Sequence, residues 1–241
     1  MIINMEKRLS IIIPTLNEEK LLPFLLESIK KQKGIDFEII MADNNSTDNT
    51  CKIAESFDAK IVEGGLPAKA RNNGAKIATN DILLFLDADV ILPAPDFLKR
   101  NLFEFNKNDF GIATCEFYPI SEKKIDKLLH KAANFYLKKS QSIMAHIPGF
   151  CIFVRKEIHN KINGFDESLK LAEDHDYANR ASKISKFGFL KSYPILVSVR
   201  RLERDGHFNI LTKYALCEAH IFFKKPITSD IFKYTFGYPK E

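Results

Sequence analysis

Cysteine is scarce in this chain: four residues in 241, Cys51, Cys115, Cys151 and Cys217, far apart and with no CxxC or Cys/His cluster. That spacing excludes a disulfide framework and a zinc site, and it reads as the reduced thiols of a cytosolic protein. Long apolar runs are lacking as well. None approaches the roughly 18 residues that cross a bilayer. The opening MIINMEKRLSIIIP lacks the small-residue cleavage site of a secretory leader. Neither GxGxxG nor GxxxxGKS/T occurs, so the usual glycine loops for dinucleotides and for nucleoside triphosphates are missing. With no repeat, low-complexity tract or linker, the chain reads as one domain over residues 1–241.

What is present is an ordinary soluble composition, 45% hydrophobic and 28% charged. Lys and Arg number 36 and Asp and Glu 31, a net charge of +5 that is unevenly placed. Up to Asp176 there are 24 basic and 26 acidic residues; from Tyr177 onward there are 12 and 5. A general nucleic-acid-coating surface is therefore excluded, and an anionic partner near the C-terminal quarter is favoured.

Two hydrophobic periods alternate through the first half. Leu9–Ile13, Phe37–Ala42 and Ile82–Leu86 are short continuous apolar runs, with Gly111–Cys115 a fourth, as expected of strands buried on both faces. Between them, Leu22, Leu25, Leu26 and Ile29 mark one face of a helix over about residues 19–32, with Pro23 in its first turn. Further helices are expected after Ser46 or Asp48 to Phe57, and over residues 70–78. Later elements are helices over residues 123–139 and 174–187, and strands over residues 151–154 and 193–199. The order predicts an α/β fold, a Rossmann-like mostly parallel sheet flanked by helices. Ligands then bind beyond the carboxyl ends of the strands, in the loops after Ile13, Ala42 and Leu86.

Those loops carry the chemistry. Asp43, ending the second strand, is placed to accept hydrogen bonds from a ribose hydroxyl or a ring N–H, or else to cap the next turn together with Ser46. Asp87-Ala88-Asp89 follows the ILLFL strand. Two carboxylates two residues apart at a buried strand's end can converge on a hard cation, Mg²⁺ or Mn²⁺, whose remaining ligands are phosphates and water. Glu173-Asp174-His175-Asp176 opens a helix. One acid there suits the helix dipole, but three in four residues suggest a carboxylate that deprotonates a hydroxyl nucleophile.

Taken together, SIIIPTLNEE, ADNNSTDNT, AKARNNGAKIATNDILLFLDAD, GFCIFVRKE, INGFDE and AEDHDYANR resemble the family 2 glycosyltransferases, inverting enzymes of the GT-A fold. The resemblance spans roughly residues 9–189. It implies a nucleotide-sugar-binding half over 9–115, an acceptor and catalytic half over 116–207, and a basic-aromatic tail over 208–241. It implies nucleobase recognition by Asp43, helped by Pro14, Thr15 and Glu18, with Asn45 a further candidate. Arg71 and Asp87 would contact the nucleotide, and Asp87 and Asp89 would form the DxD pair, with Asp89 the direct ligand of Mn²⁺ or Mg²⁺. Asp174 would be the catalytic base, with Glu173 beside it, and the Pro148–Gly149 loop would line the acceptor site. Many relatives read DDxSxD where this chain has Asp43-Asn44-Asn45-Ser46-Thr47-Asp48, so the nucleotide, UDP or GDP, stays open. The implied reaction moves a sugar to an acceptor hydroxyl or phosphate in cell-surface glycan or lipid-linked sugar synthesis.

Arg200, Arg201 and Arg204 read either as a solvated basic turn or as a contact to diphosphate or an anionic acceptor. His207 is a weaker candidate metal ligand. In the tail, Leu211, Tyr214, Ala215 and Ile221–Phe222 form a helical apolar stripe among lysines. It suits docking on the domain or on an anionic membrane surface, with a glycan or lipid-linked acceptor and a cytoplasmic place at the inner face of the membrane. A nucleotidyltransferase and a non-catalytic nucleotide-sugar-binding protein are the competing readings. The first lacks its glycine-rich loop, and the second sits poorly with a full set of acids.

Overall fold

The computed structural model describes residues 8–141 and 145–222. The first half alternates as expected: β1 (Arg8–Thr15), α1 (Leu22–Lys30), β2 (Asp36–Asp43), α2 (Thr50–Glu55), β3 (Lys60–Glu63), α3 (Pro67–Ile77) and β4 (Ile82–Leu86). Next come β5 (Val90–Ile91), α4 (Phe97–Lys107), β6 (Ile112–Pro119) and α5 (Lys124–Ser140). The remainder is β7 (Cys151–Arg155), α6 (Lys156–Lys161), α7 (Glu173–Ser182), β8 (Phe187–Val197), α8 (Arg200–Asp205) and α9 (His207–Phe222).

The strands form one mixed sheet in the order β3-β2-β1-β4-β7-β6-β8-β5. β3, β2, β1 and β4 run parallel, β7 is antiparallel to both its neighbours, and β8 runs parallel to β6. Side chains alternate between the two faces, as a strand's pleat requires. Leu9, Ile11 and Ile13 meet Leu22 and Leu25 of α1 on one side, and Ile12 and Phe85 meet Ala75 and Tyr177 on the other. Both faces are covered, which is why β1 and β4 are apolar without interruption.

Two features of this packing aim residues at one edge. β1 and β4 are neighbours, so Pro14–Glu18 and Asp87–Asp89 leave the sheet side by side, at the crevice where such folds hold ligands. α3 lies directly on β1, since a Cβ on Gly74 would come within 2.4 Å of Ile12 Cγ2. Only glycine permits that approach. It sets Arg71, one turn earlier, at the carboxyl end of the sheet.

Several expectations need correction. The helix expected over residues 174–187 stops at Ser182, because Phe187 already belongs to β8 and packs against the core. The strand expected over residues 193–199 starts at Phe187 and ends at Val197, and Arg200 opens α8 instead of lying in a solvated turn. Pro194 hid the strand's length. It sits where the β6–β8 register shifts, between the pairs Cys115–Leu190 and Phe117–Ile195, a place where its missing N–H is tolerated. Of the tail, α9 is helical to Phe222; residues 223–241 and the side chains of Tyr214, Ala215, Ile221 and Phe222 lie outside the described residues. Among the described residues, no helix is long and apolar enough to cross a membrane.

At the opposite edge, a single carboxylate ties the amino ends together. Glu38 accepts hydrogen bonds from Ser10 Oγ (2.6 Å), Lys60 Nζ (2.8 Å) and both the N–H and Oγ1 of Thr79 (2.6 and 2.7 Å). Burial alone would raise its pKa, but these donors outweigh burial and hold it at about 2. A depressed folded-state pKa stabilises above the unfolded value near 4.5, and that contribution is lost as pH falls toward 2. Discounted for partial solvent screening, Glu38→Gln is expected to cost roughly 1–2 kcal/mol at pH 7. That is a melting point lower by about 3–6 °C. Thermal melts of both proteins between pH 7 and pH 2 check it: the gap closes on acidification, and a pH-independent gap contradicts this account.

Candidate active site

The β1 and β4 edge opens into a cavity of about 900 Å³. One end is polar, lined by Pro14, Thr15, Glu18, Arg71, Asp87 and Asp89 together with Arg200 and Arg201. Glu173 and Asp174, at the start of α7, line the same cavity. Most of the expected donor-binding, metal-binding and base residues are thus brought together from five separate segments of the chain, Asp43 and Asn45 excepted.

Arg71 connects the two acid groups. Its side chain is 3% exposed, and Nη1 donates to Glu173 Oε1 at 2.7 Å while Nη2 donates to Asp87 Oδ1 at 3.0 Å and to the Gly149 carbonyl at 3.3 Å. Burial works against the charge, but Asp87, Glu173 and Asp174 more than restore it and the guanidinium's pKa is raised. Arg71 Nε is buried and has no acceptor among the described residues. For Glu173, burial and the adjacent Asp174 push the carboxyl up, against the pull of Arg71.

Asp174 lies where α7 begins. Its Oδ1 accepts the N–H of His175 at 2.9 Å, an arrangement the helix dipole favours. The residue before the helix, Ala172, precedes Glu173 in a left-handed conformation at φ 61°. A non-glycine residue held there is strained, and the bend directs Glu173 and Asp174 into the cavity. Gly149 closes in from the other side: a Cβ there would stand 2.7 Å from Arg71 Nη2 and 3.2 Å from Asp174 Oδ2. The loop expected to line the acceptor site therefore touches both the arginine and the base candidate.

The DxD pair is divided between two arginines. Asp87 meets Arg71. Asp89 meets Arg200 Nε at 3.0 Å, and the same guanidinium grips Glu18 through two bonds of 2.6 and 2.7 Å. The cause is the β5–β8 pairing, in which Val90 opposes Val197 and the Ser198 N–H donates to the Asp89 carbonyl at 3.0 Å. This pairing puts the start of α8 beside the acids. A solvated turn at Arg200 is thus corrected to a half-buried ion pair within the site.

Burial raises the pKa of Glu18, Arg200 lowers it, and Asp89 and Asp87 raise it further. Asp89 is raised by burial and by Asp87, with Arg200 opposing. The hard carboxylate oxygens of Asp87 and Asp89 are of the kind that suits Mg²⁺ or Mn²⁺. Among the described residues no group of three or more His, Cys, Asp or Glu could hold a metal ion, so such an ion would take most of its shell from phosphate and water.

Three expected residues stand apart from the cavity. Asp43 is buried, with Oδ1 accepting Thr15 Oγ1 (3.0 Å) and Ser46 Oγ (2.5 Å) and Oδ2 accepting the Ser46 N–H (2.8 Å). Its carboxylate builds the turn that positions Thr15, and Asn44 is the residue of that loop facing the cavity. Asn45 is exposed in a left-handed turn at φ 56°. His207 Nε2 pairs with the buried Asp126 Oδ1 at 2.6 Å, which ties the start of α9 to the start of α5 rather than supplying a ligand beside Asp89. Sequence reasoning missed the cavity's other wall, made by α5 and α9; the signal was there in the apolar residues Leu129, Ala133 and Leu137, spaced four apart.

Residues 10–162 match the model of the family described as Glycosyl transferase family 2. Among curated relatives, the uncharacterized glycosyltransferase EpsJ of Bacillus subtilis is 31% identical over 187 residues, covering 70% of this chain and 54% of that protein. The poly(ribitol-phosphate) beta-glucosyltransferase of Bacillus spizizenii is 28% identical over 211 residues, covering 80% of this chain and 32% of its own length. This chain therefore spans about half or less of the relatives it matches. Among solved structures, TarS 1–349 of S. aureus in complex with UDP-GlcNAc superposes with a TM-score of 0.66 at 22% identity, covering 79% of this chain and 58% of that one. The mannosyltransferase PcManGT of Pyrobaculum calidifontis, in complex with GDP-Man and Mn²⁺, gives 0.65 at 21% identity, covering 84% and 62%.

Proposed function

The chain belongs to glycosyl transferase family 2, and from that premise we propose that it moves a sugar from a nucleotide-diphosphate sugar to an acceptor hydroxyl, with inversion at the anomeric carbon. Its fold is the GT-A fold expected from the sequence. One observation carries the proposal: Arg71 joins Asp87, at the donor edge, to Glu173, adjacent to Asp174, inside a single cavity.

In this reading the nucleotide lies over the carboxyl ends of β1 and β4, against Pro14, Thr15 and Asn44. A divalent cation, Mn²⁺ or Mg²⁺, held by Asp89 and Asp87 would supply charge neutralisation for the diphosphate leaving group. Arg200 is poised to exchange part of its contact with Glu18 and Asp89 for phosphate oxygens, which a planar guanidinium matches well. Asp174 takes the proton of the acceptor hydroxyl as its oxygen bonds to the anomeric carbon. The carbon–oxygen bond to the diphosphate breaks on the opposite face, and nucleoside diphosphate departs with the electron pair. One displacement needs one base, so the second carboxylate of a retaining hydrolase has no counterpart to fill.

The test is a panel of UDP- and GDP-sugars offered to the full-length protein with Mn²⁺, followed by release of nucleoside diphosphate and the anomeric configuration of the product. The expected result is turnover of one nucleotide class, opposite configuration in donor and product, and loss of activity with EDTA that added Mn²⁺ restores. Retained configuration would contradict the single-displacement reading.

A further inference from the structure

The cavity is larger than its polar end. Beyond Asp174 it continues between α5 and α9, walled by Phe117, Leu129, Ala133, Leu137, Phe150 and Ile210. Glu173 and Asp174 are the last carboxylates on the way in. Among the described residues lining the part between the two helices there is no Asp, Glu, Asn or Gln. His130 lines it too, but its Nδ1 is bonded to the Asp126 carbonyl at 2.8 Å and its ring lies edge-on to Phe117. Burial lowers its pKa, so it is neutral at pH 7.

Such a wall decides between acceptor chemistries. A sugar chain placed there would lose water from several hydroxyls and find few partners, and each unpaired group would weaken binding. An apolar chain loses nothing and gains contact along its length. The apolar surface also leads outward. Leu128, Tyr136 and Phe135, on the adjoining face of α5, are 62%, 46% and 65% exposed. Lys124 and Lys131 are exposed on the next face of that helix, which suits an anionic lipid surface beside the cavity mouth, whereas Lys127 and Lys138 on that face pair with Glu122 and Glu116. Lys213 and Arg201, also on the cavity wall, supply positive charge near its rim.

We infer that the acceptor is an amphiphile, a lipid-borne molecule whose hydroxyl-bearing head lies at Asp174 and whose apolar chain lies in the cleft between α5 and α9. This rests on the transferase reading above and names the acceptor class of that site. It places lipid recognition on α5 and the first half of α9, not on the tail beyond residue 222.

The experiment titrates the full-length protein, with Mn²⁺ and UDP or GDP present, with 11-(dansylamino)undecanoic acid as a fluorescent chain. Methyl, hexyl and octyl β-glucoside, below micellar concentrations, are then used as competitors. Saturable binding is expected, with competitor affinity rising about two- to fourfold per added methylene. Ala132→Trp and Leu211→Asp, both at exposed cavity-lining positions, should weaken chain binding about tenfold or more and leave nucleotide binding intact. Nucleotide binding without saturable chain binding overturns this inference alone, as does equal binding by the two variants. Chain binding that appears only when residues 223–241 are removed also overturns it, because the cleft would then belong to the protein's own segment. Absence of nucleotide binding in the unaltered protein overturns the transferase reading, and the acceptor assignment with it.

Discussion

Asp174→Asn is expected to lower sugar transfer about 10³-fold or more while leaving nucleotide affinity within about threefold. The amide keeps the shape of the carboxylate and can still accept the His175 N–H, which reaches Oδ1 at 2.9 Å. What it cannot do is take a proton from an attacking hydroxyl. The substitution also removes the charge that pushes the Glu173 carboxyl up. That relief is offset by loss of a charge that Arg71 and the helix dipole favour, so folding stability should change little and lost activity cannot be ascribed to a damaged fold. Steady-state transfer, nucleotide titration and thermal melts on one preparation check all three. Transfer at the unaltered rate would move the base to another residue, Glu173 or Asp176.

The second large effect is at Arg71, where structure and catalysis coincide. Arg71→Met keeps most of the volume and removes the charge, leaving Glu173 and Asp87 facing each other across the site without it. Removing one partner of a buried pair costs about 3–5 kcal/mol, a melting point lower by roughly 6–15 °C for a chain of this size. Transfer should fall more than about 100-fold, because the donor edge and the start of α7 lose their common anchor and the leaving group loses a neighbouring charge. Arg71→Lys should rescue little, since one ammonium cannot reach Glu173, Asp87 and the Gly149 carbonyl together. Adding Glu173→Gln to Arg71→Met should recover part of the stability and none of the activity. Recovery of both would mean that Arg71 serves the fold alone.

How much of this was legible in the sequence depended on distance along the chain. β1, β2 and β4 were readable because both faces of each are covered, so burial left continuous apolar runs. The loops after them were readable for the same reason: a strand that ends in Asp87-Ala88-Asp89 announces where its acids will sit. α4 and the length of β8 were missed. The stripe of α4, Phe97, Leu98, Leu102 and Phe105, has helical spacing and could have been read, whereas Pro194 conceals the bulge in β8. Arg200 was named from the sequence, but its use was left open between a solvated turn and an anion contact. Its bond to Glu18 joins positions 182 residues apart, and only the β5–β8 pairing brings them together. Asp43 shows how one carboxylate can serve the fold as well: Thr15 and Ser46 bond to its oxygens and leave Oδ2 with one further acceptor site. Local spacing could not decide between those uses. The left-handed Ala172 that turns Glu173 and Asp174 inward leaves no mark in composition, since alanine ordinarily favours the helix that follows.

In the proposed reaction the acids at the β1 and β4 edge hold the metal-associated diphosphate of a nucleotide while Asp174 serves the acceptor. Calorimetric titration of UDP and GDP, with and without Mn²⁺, into the unaltered protein, Asp89→Ala and Asp174→Asn tests it most directly. The expected result is Mn²⁺-dependent binding of one of the two nucleotides, weakened about tenfold or more by Asp89→Ala and retained by Asp174→Asn. Binding that is indifferent to both Mn²⁺ and Asp89, or no binding of either nucleotide, would contradict it.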